Sequence, residues 1–500
     1  MILPVNWTKV RHIWEVIVIV ELLSALTYFY PLLGPWIFML AMVASLYLAI
    51  VRLDWAIYAL LIDLIIDSKG YLLSCSWGGF RLSLRIGLWL IIMAVWFIKE
   101  LISISQHRKS LNLEWRKWKS SGIVIFLLML AWGIINGLIR GNNLSNLFFD
   151  ANGWLFVLII GPLFSIKKWS SSEWPAVLTA GVSWLIAKTS LLLYAFTHLS
   201  SVWQSIIYRW VRDTQVGEIT RMSAQFYRIF FQSHIYLLIL VVIASWLLAS
   251  KLPRDRWEKW VTKDGGYLWI IGLGLALMPI IVGSSRTFWL ALGVLMLLIF
   301  IAIIRRYHWP ITWRWLITMI LAGLIALASI LIIVNFPWPR PQLSFKPVDI
   351  LEERLGDLEN EAGASSRWSL LPAMLQGIVR APLLGHGFGA TITYVSADPR
   401  VLVQNPQGSY TTYAFEWGWL DIVFKFGLIF ALWYLIWLIR LIGQTWRHGF
   451  KGQAWALGLS SLVVVHFFSP YLNHPLGIIW LVGVIIWLSS HKHYESLCSC

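Results

Sequence analysis

TFWLALGVLMLLIFIAII, residues 287–304, runs for eighteen residues without one ionisable side chain. A helix of that composition has no polar face to give to water, and at about 1.5 Å per residue it is long enough to cross a hydrocarbon core roughly 30 Å thick. Arg286 stands before it and Arg305-Arg306 after it, so charge marks both of its edges. Runs of the same kind recur near 13–31, 35–51, 86–104, 122–140, 153–166, 175–197, 230–250, 267–283, 315–334, 412–438, 453–470 and 475–489. A shorter run near 53–66 carries Asp54 and Asp63 and either crosses or is re-entrant. The chain is 59% hydrophobic and 13% charged, against roughly 25% charged in soluble domains. The reading is an all-α, polytopic transmembrane helix bundle of about 12–14 spans, because only closed backbone hydrogen bonding survives in lipid. Disorder, a disulfide-stapled secreted scaffold and a soluble nucleic-acid binder are excluded; Cys75, Cys498 and Cys500 are too few and too scattered for a disulfide framework.

The net charge of +16 is the other large fact. Lys9 and Arg11, the cluster from Arg108 to Lys119, Lys167 and Lys168, the stretch from Lys251 to Lys263, Arg305, Arg306 and Arg314, and Arg440, Arg447 and Lys451 all fall in alternate connectors. The positive-inside rule makes that side cytoplasmic, and anionic lipid head groups rather than nucleic acid are its partner. The parity holds only if 53–66 crosses; both termini are then cytoplasmic. The first run is long and lacks a small-residue cleavage site, which predicts an uncleaved signal anchor. The chain divides into an N-terminal transmembrane bundle (1–209), a central transmembrane part with Arg286 (210–334), a large extracytoplasmic loop with amphipathic helices (335–411), and C-terminal helices with a short cytoplasmic tail (412–500).

Three features carry chemistry. Gly283-Ser284-Ser285-Arg286 places an arginine at the extracytoplasmic mouth of a span, and Arg221, Arg228 and Arg367 also fall on that side, against the cytoplasmic bias of the basic residues. A guanidinium presents five donors in a planar fork and suits a diphosphate. In the long loop an acidic stretch from Asp349 to Glu361 precedes Ser365-Ser366, a pair able to cap a helix whose apolar residues Trp368, Leu371, Leu375 and Ile378 predict a segment lying on the membrane surface. That helix leads into Pro382-Leu383-Leu384-Gly385-His386-Gly387-Phe388-Gly389, a turn whose glycines Gly385, Gly387 and Gly389 let backbone approach a ligand. Last comes Glu416-Trp417-Gly418-Trp419-Leu420-Asp421. A carboxylate near a membrane surface is costly unless it is paired or functional, so Glu416 is either a general base or the partner of a loop arginine. No His/Cys spacing of zinc type occurs, and no metal or other cofactor is expected.

Taken together, the Gly283–Arg286 turn entering a span, the long outer loop, Arg367-Trp368 and the Pro382–Gly389 run resemble the O-antigen ligase and O-antigen polymerase family over roughly residues 210–440. The resemblance implies a bacterial inner-membrane glycosyltransferase of the GT-C type with an extracytoplasmic active site. It takes a glycan from an undecaprenyl-diphosphate-linked donor and passes it, with inversion and without metal, to a hydroxyl of a glycan or lipid acceptor. Arg286 and Arg367 match the family's diphosphate-holding arginines, with Arg228 and Arg221 as further candidates. The family's ligases carry His-Asn where this chain has Glu416-Trp417, which favours a polymerase or a divergent transferase. Glu416 is then the expected base, with Asp421 and His386 in reserve. The alternative is a transporter or flippase for a lipid-linked glycan or other anionic solute, which calls for inverted repeats and broken helices bearing ionisable groups.

Overall fold

The computed structural model describes residues 5–77, 80–107, 122–166, 173–222, 226–253, 257–263, 265–307, 309–341 and 362–498. The basic cluster 108–119, Lys167 and Lys168, Arg254 and Arg256, the acidic stretch 349–361 and Cys500 lie outside the described residues. The helices are α1 (Trp7–Phe29), α2 (Gly34–Val51), α3 (Leu53–Ile66), α4 (Leu84–His107), α5 (Ile123–Ile139), α6 (Leu144–Leu155), α7 (Ile160–Ser165), α8 (Glu173–His198), α9 (Ser201–Asp213) and α10 (His234–Ala249). They continue as α11 (Trp257–Thr262), α12 (Gly266–Val282), α13 (Arg286–Arg306), α14 (Trp309–Val334), α15 (Ala362–Arg380), α16 (Pro399–Gln404), α17 (Gly418–Trp446), α18 (Gly449–Val465) and α19 (Pro475–Cys498). Three antiparallel hairpins sit in the connectors: β1 (Ser74–Trp77) with β2 (Phe80–Ser83), β3 (Glu218–Arg221) with β4 (Tyr227–Phe230), and β5 (Ile392–Val395) with β6 (Ser409–Thr412).

This is an all-α polytopic bundle. Among the described residues eight helical segments are long and apolar enough to cross a membrane, and four shorter apolar helices cover 123–139, 234–249, 266–282 and 475–490. The remaining expected segments are helical too, as α3 and α18. Helix α2 leaves Met39, Leu40, Val43 and Tyr47 more than half exposed, an arrangement tolerable only where the surrounding solvent is itself apolar. Two expected boundaries move. The span placed at 412–438 begins at Gly418, because Ser409–Thr412 pair as a strand with Ile392–Val395. The loop helix begins at Ala362, so Ser365 and Ser366 lie inside it rather than at its cap.

Two compact units make up the chain: Met1–Gln106 with Gly161–Leu351, and His107–Ile160 with Glu352–Cys500. In the first, two ion pairs lie inside among the described residues. Asp63 of α3 takes Arg85 at the start of α4 at 2.8 Å, and the same guanidinium donates to the carbonyls of Asp67 and Ser68. Lys188 of α8 meets Glu21 of α1 at 2.5 Å, with Trp184 donating to the same carboxylate oxygen. A lone charge there would pay the full desolvation cost. In the second unit an aromatic core of Phe126, Trp154, Phe426, Tyr434 and Trp437 joins α5, α6 and α17. Helix α15 packs Leu370 and Met374 against Phe424 of α17, together with Phe415 and Ile392.

Candidate functional site

The second unit holds most of the residues singled out above, and a break in α17 organises them. Gly427 has φ 81°, ψ 174°, so the helix is interrupted there. The break leaves the carbonyls of Phe424 and Lys425 to accept from outside the helix, and the Gly-rich turn supplies the donors. His386 donates its amide to Phe424 O and Gly387 to Lys425 O, each at 2.9 Å; Leu428 N, in exchange, donates to Pro382 O at 2.8 Å. Phe388 N goes to Gly133 O of α5, Gly385 N to Ala381 O and Gly389 N to Asp150 Oδ2. All five amides of residues 385–389 are therefore engaged within the protein. The close approach that the glycines permit is to the protein's own backbone: a Cβ on Gly387 would lie 2.2 Å from Gly137 N, and one on Gly385 2.4 Å from the Lys425 carbonyl. Gly385, Gly387 and Gly389 form a wedge that joins α5, α6 and α17.

Along α15 the wedge and the predicted base are set apart. Arg367, in the helix's second turn, forms an ion pair with Glu416. The Trp417 indole donates to Arg367 O at 3.0 Å, and its ring meets Trp368 edge to face at 5.4 Å. Both charged side chains remain partly open to solvent. The same helix forms one wall of an open groove of about 640 Å³, lined by Ser369, Pro372 and Gln376 and, across from them, by Tyr394, Ser396 and Leu402. Among the described residues none that lines the groove is charged. Burial pushes the Tyr394 hydroxyl above the ordinary phenol range; its hydrogen bond with Ser396 opposes this and the negative charge of Glu416 adds to it.

Asp421 is elsewhere in kind. It is buried at 1% exposure, 2.6 Å from Lys425 Nζ and 2.7 Å from the Asn473 amide that donates to it. Lys425 also meets Asp150 of α6 at 2.5 Å, and Asp150 Oδ2 holds the Gly389 amide of the wedge. Two carboxylates on one ammonium, all inside, tie α6, α17 and the turn together; no acceptor hydroxyl reaches Asp421. His386 is stacked on Phe424 at 4.6 Å with Nε2 2.8 Å from Gly377 O. A ring nitrogen facing a carbonyl carries the proton, so the lone pair is on Nδ1, which faces Arg140 at 3.5 Å.

In the first unit the hairpin β3–β4 brings Arg228 to the turn before α13: its Nε donates to Gly283 O at 3.0 Å, and its head lies over Phe230. Ser284 takes φ 43°, which turns the chain so that Arg286 opens α13. Arg228 and Arg286 are thus brought to one turn. Arg221 is exposed at the far end of β3, paired in register with Tyr227.

The sequence reading passed over Arg140, Asp150 and Lys425 as site residues. Arg140 ends an expected span on the side read as extracytoplasmic, the signal that picked out Arg286; the pairing of Asp150 with Lys425 gave none, since it joins positions 275 residues apart. No protein-family model matches the chain, and no curated protein matches it significantly.

Proposed function

We propose that this chain is an integral membrane glycosyltransferase of the O-antigen ligase and polymerase kind, moving a glycan from an undecaprenyl-diphosphate carrier to an acceptor hydroxyl. One observation carries the reading: a carboxylate–arginine pair, Glu416 with Arg367, stands at the surface near a groove whose lining, among the described residues, is uncharged and suits a neutral polyhydroxylated acceptor. The acceptor oxygen attacks the anomeric carbon from the face opposite the leaving group, the bond to the phosphate oxygen breaks, and the lipid diphosphate leaves with the electron pair. The acceptor's proton passes to Glu416, a step that typically contributes roughly 10²–10⁴-fold. Arg367 aims that carboxylate, and arginine charge stabilises the anion as it develops.

Purified protein reconstituted with a lipid-diphosphate glycan and an acceptor tests this by product length: a ladder means polymerase, one transferred block means ligase. Arg367→Ala and Arg286→Ala are expected to abolish transfer while the protein still inserts, with lysine at either position restoring only part. Full activity in both alanine variants sinks the reading. The competing reading, a transporter or flippase, draws support from the broken α17 and its buried Asp150–Lys425–Asp421 cluster, since transporters build sites at such breaks. Here the wedge fills the break, which favours the enzyme. Passage of the lipid-linked glycan across the bilayer without product would reverse that preference.

A further inference from the structure

Arg140 has a different setting from Arg367. Its Nε donates to Asn136 Oδ1 at 3.1 Å, and Asn136 is itself buried and fixed by its amide to Leu384 O and Gly385 O. Its NH1 is 3.5 Å from His386 Nδ1. The guanidinium is thereby oriented while its outer donors stay exposed, and no carboxylate lies within ion-pair distance of it among the described residues. Across the imidazole, His386 Nε2 rests on Gly377 O of α15, and exposed Arg380 follows three residues on, the spacing that puts side chains on one face of a helix. Arg380 likewise has no acidic partner among the described residues. The residues next to these two cations in sequence are apolar and open: Ile139 is 75% exposed and Val379 77%, and Leu383 and Ile135, three and five positions away, are exposed as well.

Guanidinium charge without an acidic partner among the described residues, held in place at Arg140 and set in an exposed apolar surround, is complementary to one chemical class, an amphiphile with a phosphate head and a hydrocarbon tail. We infer that Arg140, oriented by Asn136 and His386, binds the phosphate of a lipid with Arg380 as a second cation, and that the lipid's tail lies over Ile135, Ile139 and Leu383. The site is separate from the Arg367–Glu416 pair, whose arginine stands thirteen residues before Arg380 on α15 and is already neutralised. It deepens the glycosyltransferase reading if the lipid is the glycan carrier, yet it stands on geometry that owes nothing to transfer.

The experiment measures binding to the full-length protein in phosphatidylcholine nanodiscs with three probes: undecaprenyl diphosphate, phosphatidylglycerol and inorganic pyrophosphate. Arg140→Gln should weaken lipid-phosphate binding about tenfold or more, the worth of a charged hydrogen bond. Arg140→Lys should recover part, because an ammonium lacks the fork. Arg380→Gln should weaken it less, and Arg440→Gln, an equally exposed arginine at the other end of α17, should change it less than twofold. A loss confined to undecaprenyl diphosphate assigns the site to the carrier; an equal loss with phosphatidylglycerol assigns it to anionic phospholipid; both support a lipid-phosphate site. Unchanged binding in Arg140→Gln, or an equal loss in Arg440→Gln, overturns the inference, and so does inorganic pyrophosphate binding as tightly as either lipid. If Arg140-dependent binding holds while no glycan is ever transferred, the enzyme reading fails and this site remains.

Discussion

Glu416 and Asp421 are five residues apart at the head of α17, and each is joined to a basic side chain; there the likeness ends. Glu416 holds Arg367 at the surface, with the two side chains 55% and 36% exposed. Asp421 holds Lys425 at 1% and 2%, with Asp150 on the lysine's other side and the Asn473 amide on its own. Solvent decides what each pair is for. An exposed pair contributes about 0–1 kcal/mol, so it is free to exchange partners and meet a substrate. A buried cluster has already lost its hydration, and every member depends on the others. Two acids that look interchangeable in sequence are thus split between surface and core by where the helix begins: Glu416 lies in the bend before it and Asp421 in its first turn.

The largest expected effect tests that split directly. Lys425→Met leaves two carboxylates buried with no counter-charge and removes the tie between α6 and α17, so a loss of about 3–5 kcal/mol is expected. It would be read as a fall in the unfolding temperature of the detergent-solubilised protein. Adding Asp150→Asn and Asp421→Asn to Lys425→Met should recover much of that loss. Arg367→Ala, by contrast, should move stability by less than about 1 kcal/mol while ending transfer. A melting curve for Lys425→Met that overlays the wild type would erase the distinction between the clusters.

The next effect belongs to the wedge that Asp150 holds. Gly387 has φ +77° and its missing Cβ would fall 2.2 Å from Gly137 N, so Gly387→Ala must pay roughly 1–3 kcal/mol for the left-handed backbone and more for prising two chains apart. Gly141 supplies the control: its φ is +70° and nothing lies within 4 Å of the added carbon, so Gly141→Ala should pay the backbone term alone. Equal unfolding temperatures for the two alanine variants would mean that the wedge is not seated as described.

How much of this could be read in advance follows from the range of each interaction. The span 287–304 was legible because hydropathy is a property of neighbours in sequence, and the same holds for the existence of the other long apolar helices, though several of their ends lie some residues away from the expected ones. The glycines of 385–389 were legible as a demand for close backbone approach to a ligand, but what they approach is Gly137, Leu147 and the Lys425–Phe426 backbone before the Gly427 break, and no local pattern names those partners. Both alternatives for Glu416 were legible, base or arginine partner; the ion pair with Arg367 became visible only once β5 and β6 had carried the chain back to α15. Arg140 was missed for the same reason: its worth lies in Asn136 and His386, four and 246 residues away.

The smallest effect probes how stiffly the surface pair is held. The Trp417 indole donates to Arg367 O at 3.0 Å in a half-buried contact, which ties the backbone beneath Arg367 to the residue next to Glu416. Trp417→Phe keeps a ring to pack against Trp368 and Phe468 but loses that donor. The expected cost is about 0.5–1.5 kcal/mol, an ordinary net hydrogen bond. A shift of that size in unfolding temperature should accompany a fall in transfer rate of no more than about tenfold, because the Arg367–Glu416 contact itself survives and only its bearing loosens. A stability loss as large as that of Lys425→Met would place Trp417, and with it the ion pair, in the architecture of the fold; a wild-type melt with a wild-type rate would show that the pair aims itself.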